Sequence, residues 1–195
     1  MNGAFPVALK LSGRSVLVVG SGEEAALRAE ALLAAGALVT VAGEAPGEKV
    51  EALGRDGRVE LVRRAPVPAD LDGRWLLLLA DRNPALADEL AREAEKRALF
   101  YCAIDDSRVG SFSHVAIARA GLVFAAIGSQ GEAPALARRL RELFDGLFAR
   151  AGLAGFAERL ADLRRVTPPE RRREVLDAAV RGVRLDGELV LPSDE

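Results

Sequence analysis

Residues 15–25 (SVLVVGSGEEA) constrain the fold more than any other stretch of this chain. A short β-prone run ends at Gly20. Apolar residues in unbroken succession read as a strand covered on both faces, as in a parallel sheet. Gly20-Ser21-Gly22-Glu23-Glu24-Ala25 then has the form G-x-G-x-x-A. In that form the first glycine permits a tight turn and the second lets a pyrophosphate reach the backbone. A small residue at the last position lets helix and strand pack closely. Exposed N–H groups at a helix start favour an anion. Glu23 and Glu24 suit the helix dipole but compete with such an anion. The alternative is a tight strand-to-helix turn with no ligand.

The neighbouring pattern supports the strand–turn–helix reading. Leu27, Ala31 and Leu32 keep helical spacing over residues 23–35, and Gly36 stops the run. Residues 37–41 (ALVTV) read as a second strand, completing a βαβ unit with a right-handed crossover. Residues 48–53 are expected to form a short helix, and residues 59–62 (VELV), 75–79 (WLLLL) and 100–104 (FYCAI) three further strands. Asn83-Pro84 reads as an N-cap followed by proline in the first helical turn, opening a helix to about Arg97 with Leu86, Leu90 and Ala94 on one face. Residues 1–112 are therefore expected to be an α/β domain with a Rossmann-like, doubly wound parallel sheet.

Beyond residue 112 the pattern changes. Residues 115–118 and 122–127 read as two strands, and residues 134–147 as an amphipathic helix with Leu136, Leu140 and Leu147 apolar. Such a piece, residues 113–147, is too small to fold alone and is expected to be an α+β dimerisation domain. Residues 148–195 are expected to be a small helical domain, with helices near 155–165 and 169–180. Thr167-Pro168-Pro169-Glu170 fits a capping box, and residues 183–191 (VRLDGELVL) a hairpin about Asp186-Gly187.

Composition narrows the function. The chain has 195 residues and a formal net charge of −2, with no basic stripe interleaved with aromatics, which argues against nucleic acid as partner. Lys appears only at Lys10, Lys49 and Lys96 among the 27 basic residues. Cys102 is the sole cysteine and His114 the sole histidine, which excludes an internal disulfide and any metal site needing several such ligands. His114, beside apolar residues, reads as structural. The N-terminus lacks the apolar stretch of a signal peptide, and the fully apolar runs fall far below the ~18 residues of a membrane span. A cytoplasmic protein is expected.

Three further places can carry chemistry. Glu44, just past the second strand, stands where an acid accepts hydrogen bonds from an adenosine ribose. It would repel a 2′-phosphate, and no Arg follows it closely along the chain, so NAD is expected over NADP; a solvated loop acid reads equally well on spacing. Asp105-Asp106 closes the fifth strand, at the sheet edge where ligands of such folds bind. On the residues alone the reading as a turn former is favoured. By strand alternation at most one of the pair faces the cleft, and Asp106 is expected to point away. Residues 128–134 (GSQGEAP) form a second glycine-rich loop before a helix, open to an anion or to no ligand at all.

Phe5-Pro6, the segment from Leu11 through Gly13-Arg14 to Gly20-x-Gly22, residues 32–41 (LLAAGALVTV), Cys102-Ala103-Ile104-Asp105, Phe112 and residues 125–141 (AAIGSQGEAPALARRLR) together resemble the precorrin-2 dehydrogenase/sirohydrochlorin ferrochelatase family, the N-terminal half of sirohaem synthases. Order and spacing are similar along about residues 1–145. The resemblance implies an NAD-binding Rossmann domain, a dimerisation domain, a helical domain and a tetrapyrrole cleft. It implies NAD contacts at Gly20, Ser21, Gly22, Glu23, Glu24, Glu44 and Ala45, a catalytic acid at Asp105, and substrate contacts near Ser129 and Gly131. Arg108, Arg119 and Arg138 are candidates for the carboxylates of such a substrate. No resident metal is expected; ferrous iron would be a substrate. Ser21 interrupts the family's run of three glycines, and Gln130 and Glu132 alter its second loop. The expected activity is NAD-dependent oxidation of precorrin-2 to sirohydrochlorin by a homodimer, with iron insertion as an added activity. The alternative is a diverged binder of NAD or tetrapyrrole that acts as sensor or carrier.

Overall fold

The computed structural model describes residues 4–104, 106, 109–187 and 189–191. It divides into two compact units. The first holds residues up to His114 together with Ser129–Ala133; the second holds Val115–Gly128 and the chain from Pro134 on.

The first unit contains β1 (Ser15–Val19), α1 (Glu23–Ala34), β2 (Leu38–Ala42), α2 (Glu48–Arg55), β3 (Glu60–Val62), β4 (Leu76–Leu79), α3 (Pro84–Lys96) and β5 (Phe100–Ala103). All five strands are parallel, in the order β3-β2-β1-β4-β5. The chain leaves β1 to one side for β2 and β3, then returns to the other side for β4 and β5. The reversal between β1 and β4 is where doubly wound sheets open a crevice at their carboxyl ends.

The apolar strands are explained by cover on both faces. Val16, Val18, Val39, Val41, Leu76 and Leu78 face Ala25, Ala29 and Leu32 of α1 with Val50 and Leu53 of α2. Leu17, Val19, Leu77 and Leu79 face Leu71 and the α3 residues Leu90, Ala91 and Ala94. Each fully buried Val or Leu contributes about 1.5–3 kcal/mol relative to exposure, so β1 and β4 anchor the sheet. The buried Thr40 is satisfied from both sides: it accepts from Arg74 Nη1 at 2.7 Å and donates to Glu60 Oε2 at 2.7 Å. Asn83 caps α3, its Oδ1 accepting the Leu86 N–H at 3.2 Å, and Pro84 opens the helix. The outer edge of β5 is covered by residues 109–111: Ala103 donates to Val109 O and Ser111 donates to Tyr101 O, each at 2.9 Å.

The second unit is an antiparallel pair, β6 (Ala116–Ala120) and β7 (Val123–Ile127), with α4 (Pro134–Arg150), α5 (Leu153–Val166) and α6 (Arg172–Val180). Ala118 pairs with Ala125 and Ala120 with Val123; Ala118 and Ala120 are buried, beside α4. Three expectations are corrected here. The Thr167 hydroxyl donates to Leu163 O at 2.6 Å, so it closes α5 instead of capping the next helix; a 3₁₀ turn, Pro169–Arg171, precedes α6. The helix from Pro134 runs on to Arg150. Residues 183–187 and 189–191 form no strand, and Leu185, Leu189 and Val190 stay exposed. A lone hairpin with nothing to pack on is marginal in water, which is why pattern alone misleads. Among the described residues no helix is long and apolar enough to cross a membrane.

Candidate functional site

The turn after β1 is built by close packing. The Gly20 N–H donates to Ala42 O at 2.9 Å and its φ is +150°. A Cβ there would stand 3.2 Å from the Cβ of Ala25 and 3.2 Å from both the carbonyl carbon and the Cβ of Ala80. Ala25 is fully buried, so a larger side chain would push α1 off the sheet. Gly22 differs: it is the N-cap residue of α1, it is exposed, and beyond its own chain neighbours no atom lies within 4 Å of where its Cβ would be. The helix start therefore opens onto free space that a side chain would fill, which fits a phosphate drawn to backbone N–H groups.

The end of β2 is tied to that turn. Ser21 O accepts the Gly47 N–H at 2.7 Å, and the Gly43 N–H donates to Val62 O at 3.0 Å. Glu44 and Ala45 follow Gly43, both exposed. Gly20, Ser21, Gly22, Glu23, Glu24, Glu44 and Ala45 are thus gathered at the carboxyl edge of β1 and β2. The two helix-start acids each have a cationic partner. Glu23 pairs with Lys49 at 2.9 Å, and the hydrogen bond and charge of that ammonium hold its carboxyl below the usual carboxylate range. Glu24 accepts from Arg28 Nε at 2.7 Å. Their repulsion of an incoming anion is reduced accordingly.

At the carboxyl ends of β4 and β5 lies a cavity of about 220 Å³, lined by Ala80, Asp81, Arg82, Asn83, Ile104 and Asp106 among others. Ala80 also packs under Gly20, so the cavity borders the glycine turn. Asp106 is among the residues that line this cavity. The strand ends at Ala103, so the alternation rule no longer governs its direction. Asp105 and Arg108 lie outside the described residues. Asp81 and Arg82 were not among the expected site residues, and Asn83 was expected only as a helix cap. Their signal was position, directly after the wholly apolar β4.

The second glycine loop groups with the first unit. Within it the Glu132 N–H donates to Ser129 O at 3.0 Å, and Gln130 and Gly131 take positive φ values of 53° and 85°. Arg119 and Arg138 belong to the second unit. The Arg119 guanidinium lies 5.9 Å from the Phe124 ring centroid, the Arg119 backbone N–H donates to Asp145 Oδ1 at 3.2 Å, and Arg138 is exposed on α4.

The two lone residues are structural in character. Burial pushes the Cys102 thiol up, against a reactive thiolate. Phe112 meets His114 edge-on at 5.7 Å between centroids. Although His114 exposes more than a third of its surface, burial of the ring and then the charge of Arg28 hold its pKa below the usual histidine value. Among the described residues no group of three or more His, Cys, Asp or Glu is placed to hold a metal ion.

Comparison with known proteins agrees with this geometry. Residues 7–116 match a family described as "Putative NAD(P)-binding". The siroheme synthase of Photorhabdus laumondii is 34% identical over 184 residues, 91% of this chain and 39% of its own length. Siroheme synthase 1 of Serratia proteamaculans is 35% identical over 154 residues, 79% of this chain and 32% of its own. The chain thus spans a third to two fifths of these relatives. A solved structure named "SirC, precorrin-2 dehydrogenase" superposes with a TM-score of 0.78 at 23% identity, over 91% of this chain and 89% of that one. The Rossmann-like fold and the resemblance to the precorrin-2 dehydrogenase family, both expected from sequence, are borne out.

Proposed function

The chain belongs to that NAD(P)-binding family, and from this premise we propose that it oxidises precorrin-2 to sirohydrochlorin with NAD, in sirohaem formation. One observation carries the reading: the open helix start at Gly22 and the cavity beyond β4 and β5 share one sheet edge, with Ala80 between them. A dinucleotide laid along that edge would have its phosphates at Gly22 and its ring end at the cavity.

The nicotinamide, when bound, supplies the hydride acceptor. The chain's own residues do the rest. Gly20, Ser21 and Gly22 give the backbone cradle, with Glu23 and Glu24 restrained by their cations. Glu44 and Ala45 receive the adenosine ribose, and the Glu44 carboxylate disfavours a 2′-phosphate, so NAD is preferred over NADP. As the macrocycle loses a hydride it also loses a proton, and the resemblance assigns that proton to Asp105. Ser129, Gly131, Arg108, Arg119 and Arg138 are assigned to the substrate on sequence grounds. Ferrous iron, where it is inserted by the same protein, is a second substrate.

We place the protein in the cytoplasm as a homodimer. Support for the dimer comes from β6 and β7: Phe124 and its cross-strand partner Arg119 are exposed, with Leu122 and Val123 beside them. The deciding experiment is anaerobic incubation with precorrin-2 and NAD, following the absorbance of NADH and of sirohydrochlorin. Both should rise together. Binding of NAD and tetrapyrrole with no NADH formed would replace the enzyme by a carrier.

A further inference from the structure

Strand pairing brings two arginines to the place where Glu44 stands. Ala42 of β2 lies opposite Val62 of β3, and the Gly43 N–H bonds Val62 O at 3.0 Å. The next residues are Gly43-Glu44 on one strand and Arg63-Arg64 on its neighbour. Following the chain past Glu44, the first cation is Lys49, which is paired with Glu23 at 2.9 Å; the sheet supplies two arginines from the side. A guanidinium at this corner is what reads a 2′-phosphate on an adenosine ribose.

Both guanidiniums are held by carboxylates. Arg63 donates from Nε and Nη2 to the two oxygens of Glu51, at 3.0 and 2.8 Å. Arg64 donates from Nη1 and Nη2 to the two oxygens of Asp70, at 2.7 and 2.6 Å. Such two-point pairs fix the orientation of the guanidinium as well as offset its charge. The pairs differ in their surroundings. Asp70 also accepts the Val67 N–H at 2.8 Å, so it shapes the turn before β4. Glu51 sits on α2, which is anchored separately by buried Val50 and Leu53, and Arg63 is mostly exposed. Glu51 can be altered without dismantling the helix.

We propose that the Glu51–Arg63 pair determines cofactor choice: Glu51 sequesters Arg63 from a 2′-phosphate and thereby favours NAD over NADP. The inference rests on the NAD reading above. A 2′-phosphate brings about two negative charges at neutral pH. In the native protein it meets the Glu44 and Glu51 carboxylates and a guanidinium already engaged. With Glu51 neutral, Arg63 can turn its donors to the phosphate.

Calorimetric titration of NAD and NADP at low ionic strength tests this. The unmodified protein should bind NAD more tightly. Glu51→Gln should raise the NADP-to-NAD affinity ratio roughly tenfold, the scale of a hydrogen bond between charged groups discounted for exposure. Glu51→Ala should do the same, and NAD affinity should stay near its native value. Glu48→Gln makes an equal charge change on the same helix without altering the Glu51–Arg63 pair, and should leave the ratio unmoved. Adding Arg63→Ala to Glu51→Gln should abolish the gain. An unchanged ratio in both Glu51 variants, in a protein that binds and prefers NAD, overturns the inference and leaves the NAD reading standing. So does a gain that survives loss of Arg63 or that Glu48→Gln reproduces. Equal binding of both cofactors, or of neither, by the unmodified protein removes the NAD reading and this inference with it.

Discussion

The hydroxyl of Ser21 occupies the space into which a Cβ on Gly43 would project, and the same Cβ would stand 3.0 Å from the carbonyl oxygen of Gly20. The turn after β1 and the end of β2 are thus in backbone contact, and the Gly47 N–H on Ser21 O locks them together. Gly43→Ala must push the two apart. Overpacking of this kind costs about 1–3 kcal/mol, to be read in thermal unfolding, and cofactor affinity should fall with it because the phosphate cradle moves. Ser21→Gly in the same chain should recover part of the loss, since it removes the hydroxyl but not the crowding at Gly20. Unchanged melting and cofactor binding in Gly43→Ala would show that the two segments separate freely.

The sheet was legible because its central strands are apolar at every position of WLLLL and at all but the first of SVLVV, which only cover on both faces explains. Asn83-Pro84 was legible because cap and helix start are adjacent in sequence. What escaped needed neighbours that sequence order hides. Thr167 stands between two helices, and either could have used its hydroxyl. Asp106 lies beyond the last paired residue of β5, where alternation carries no information. Gly43 reads as an ordinary loop glycine until Ser21 is seen against it, and Arg63 reaches the Glu44 corner only through the pairing of β2 with β3.

The sole histidine gives a clean pH dependence. Burial and Arg28 hold the folded-state pKa of His114 below its unfolded value, so the neutral ring is favoured in the fold. As pH falls through about 6.5, the unfolded chain takes up a proton that the folded chain does not. Stability from this group is therefore complete above that value and declines as pH falls toward the folded pKa. Depressed carboxylates such as Glu51 and Glu93 lose their contribution only at lower pH, below the ordinary carboxylate value. His114→Gln should flatten the melting temperature as pH falls below about 6.5. A slope that survives in the variant would have to come from another group.

The β6–β7 pair makes the dimer testable. Phe124 lies with Arg119 on the face opposite buried Ala118 and its partner Ala125, so Phe124→Glu should leave the unit folded while placing a charge on the open face. Light scattering at micromolar concentration should give twice the 20.7 kDa chain mass for the unmodified protein and the single-chain mass for the variant. A native mass of 20.7 kDa would remove the dimer, and a variant that stays dimeric would move the interface elsewhere.

Asp105 carries the remaining prediction. The residues on either side of it, Ile104 and Asp106, both line the cavity beyond β4 and β5. An acid that takes a proton during the reaction affects turnover, whereas an acid that only shapes the chain affects melting. Asp105→Asn should lower turnover on the order of 10²-fold, the scale of a positioned acid–base group, with melting temperature and NAD affinity near native. Asp106→Asn is not a silent control, because that residue is also among those lining the cavity; it should act mainly on KM, through the charge near the wall that meets the substrate. Ordinary turnover in Asp105→Asn, with the large loss in Asp106→Asn instead, would transfer the acid's role to Asp106.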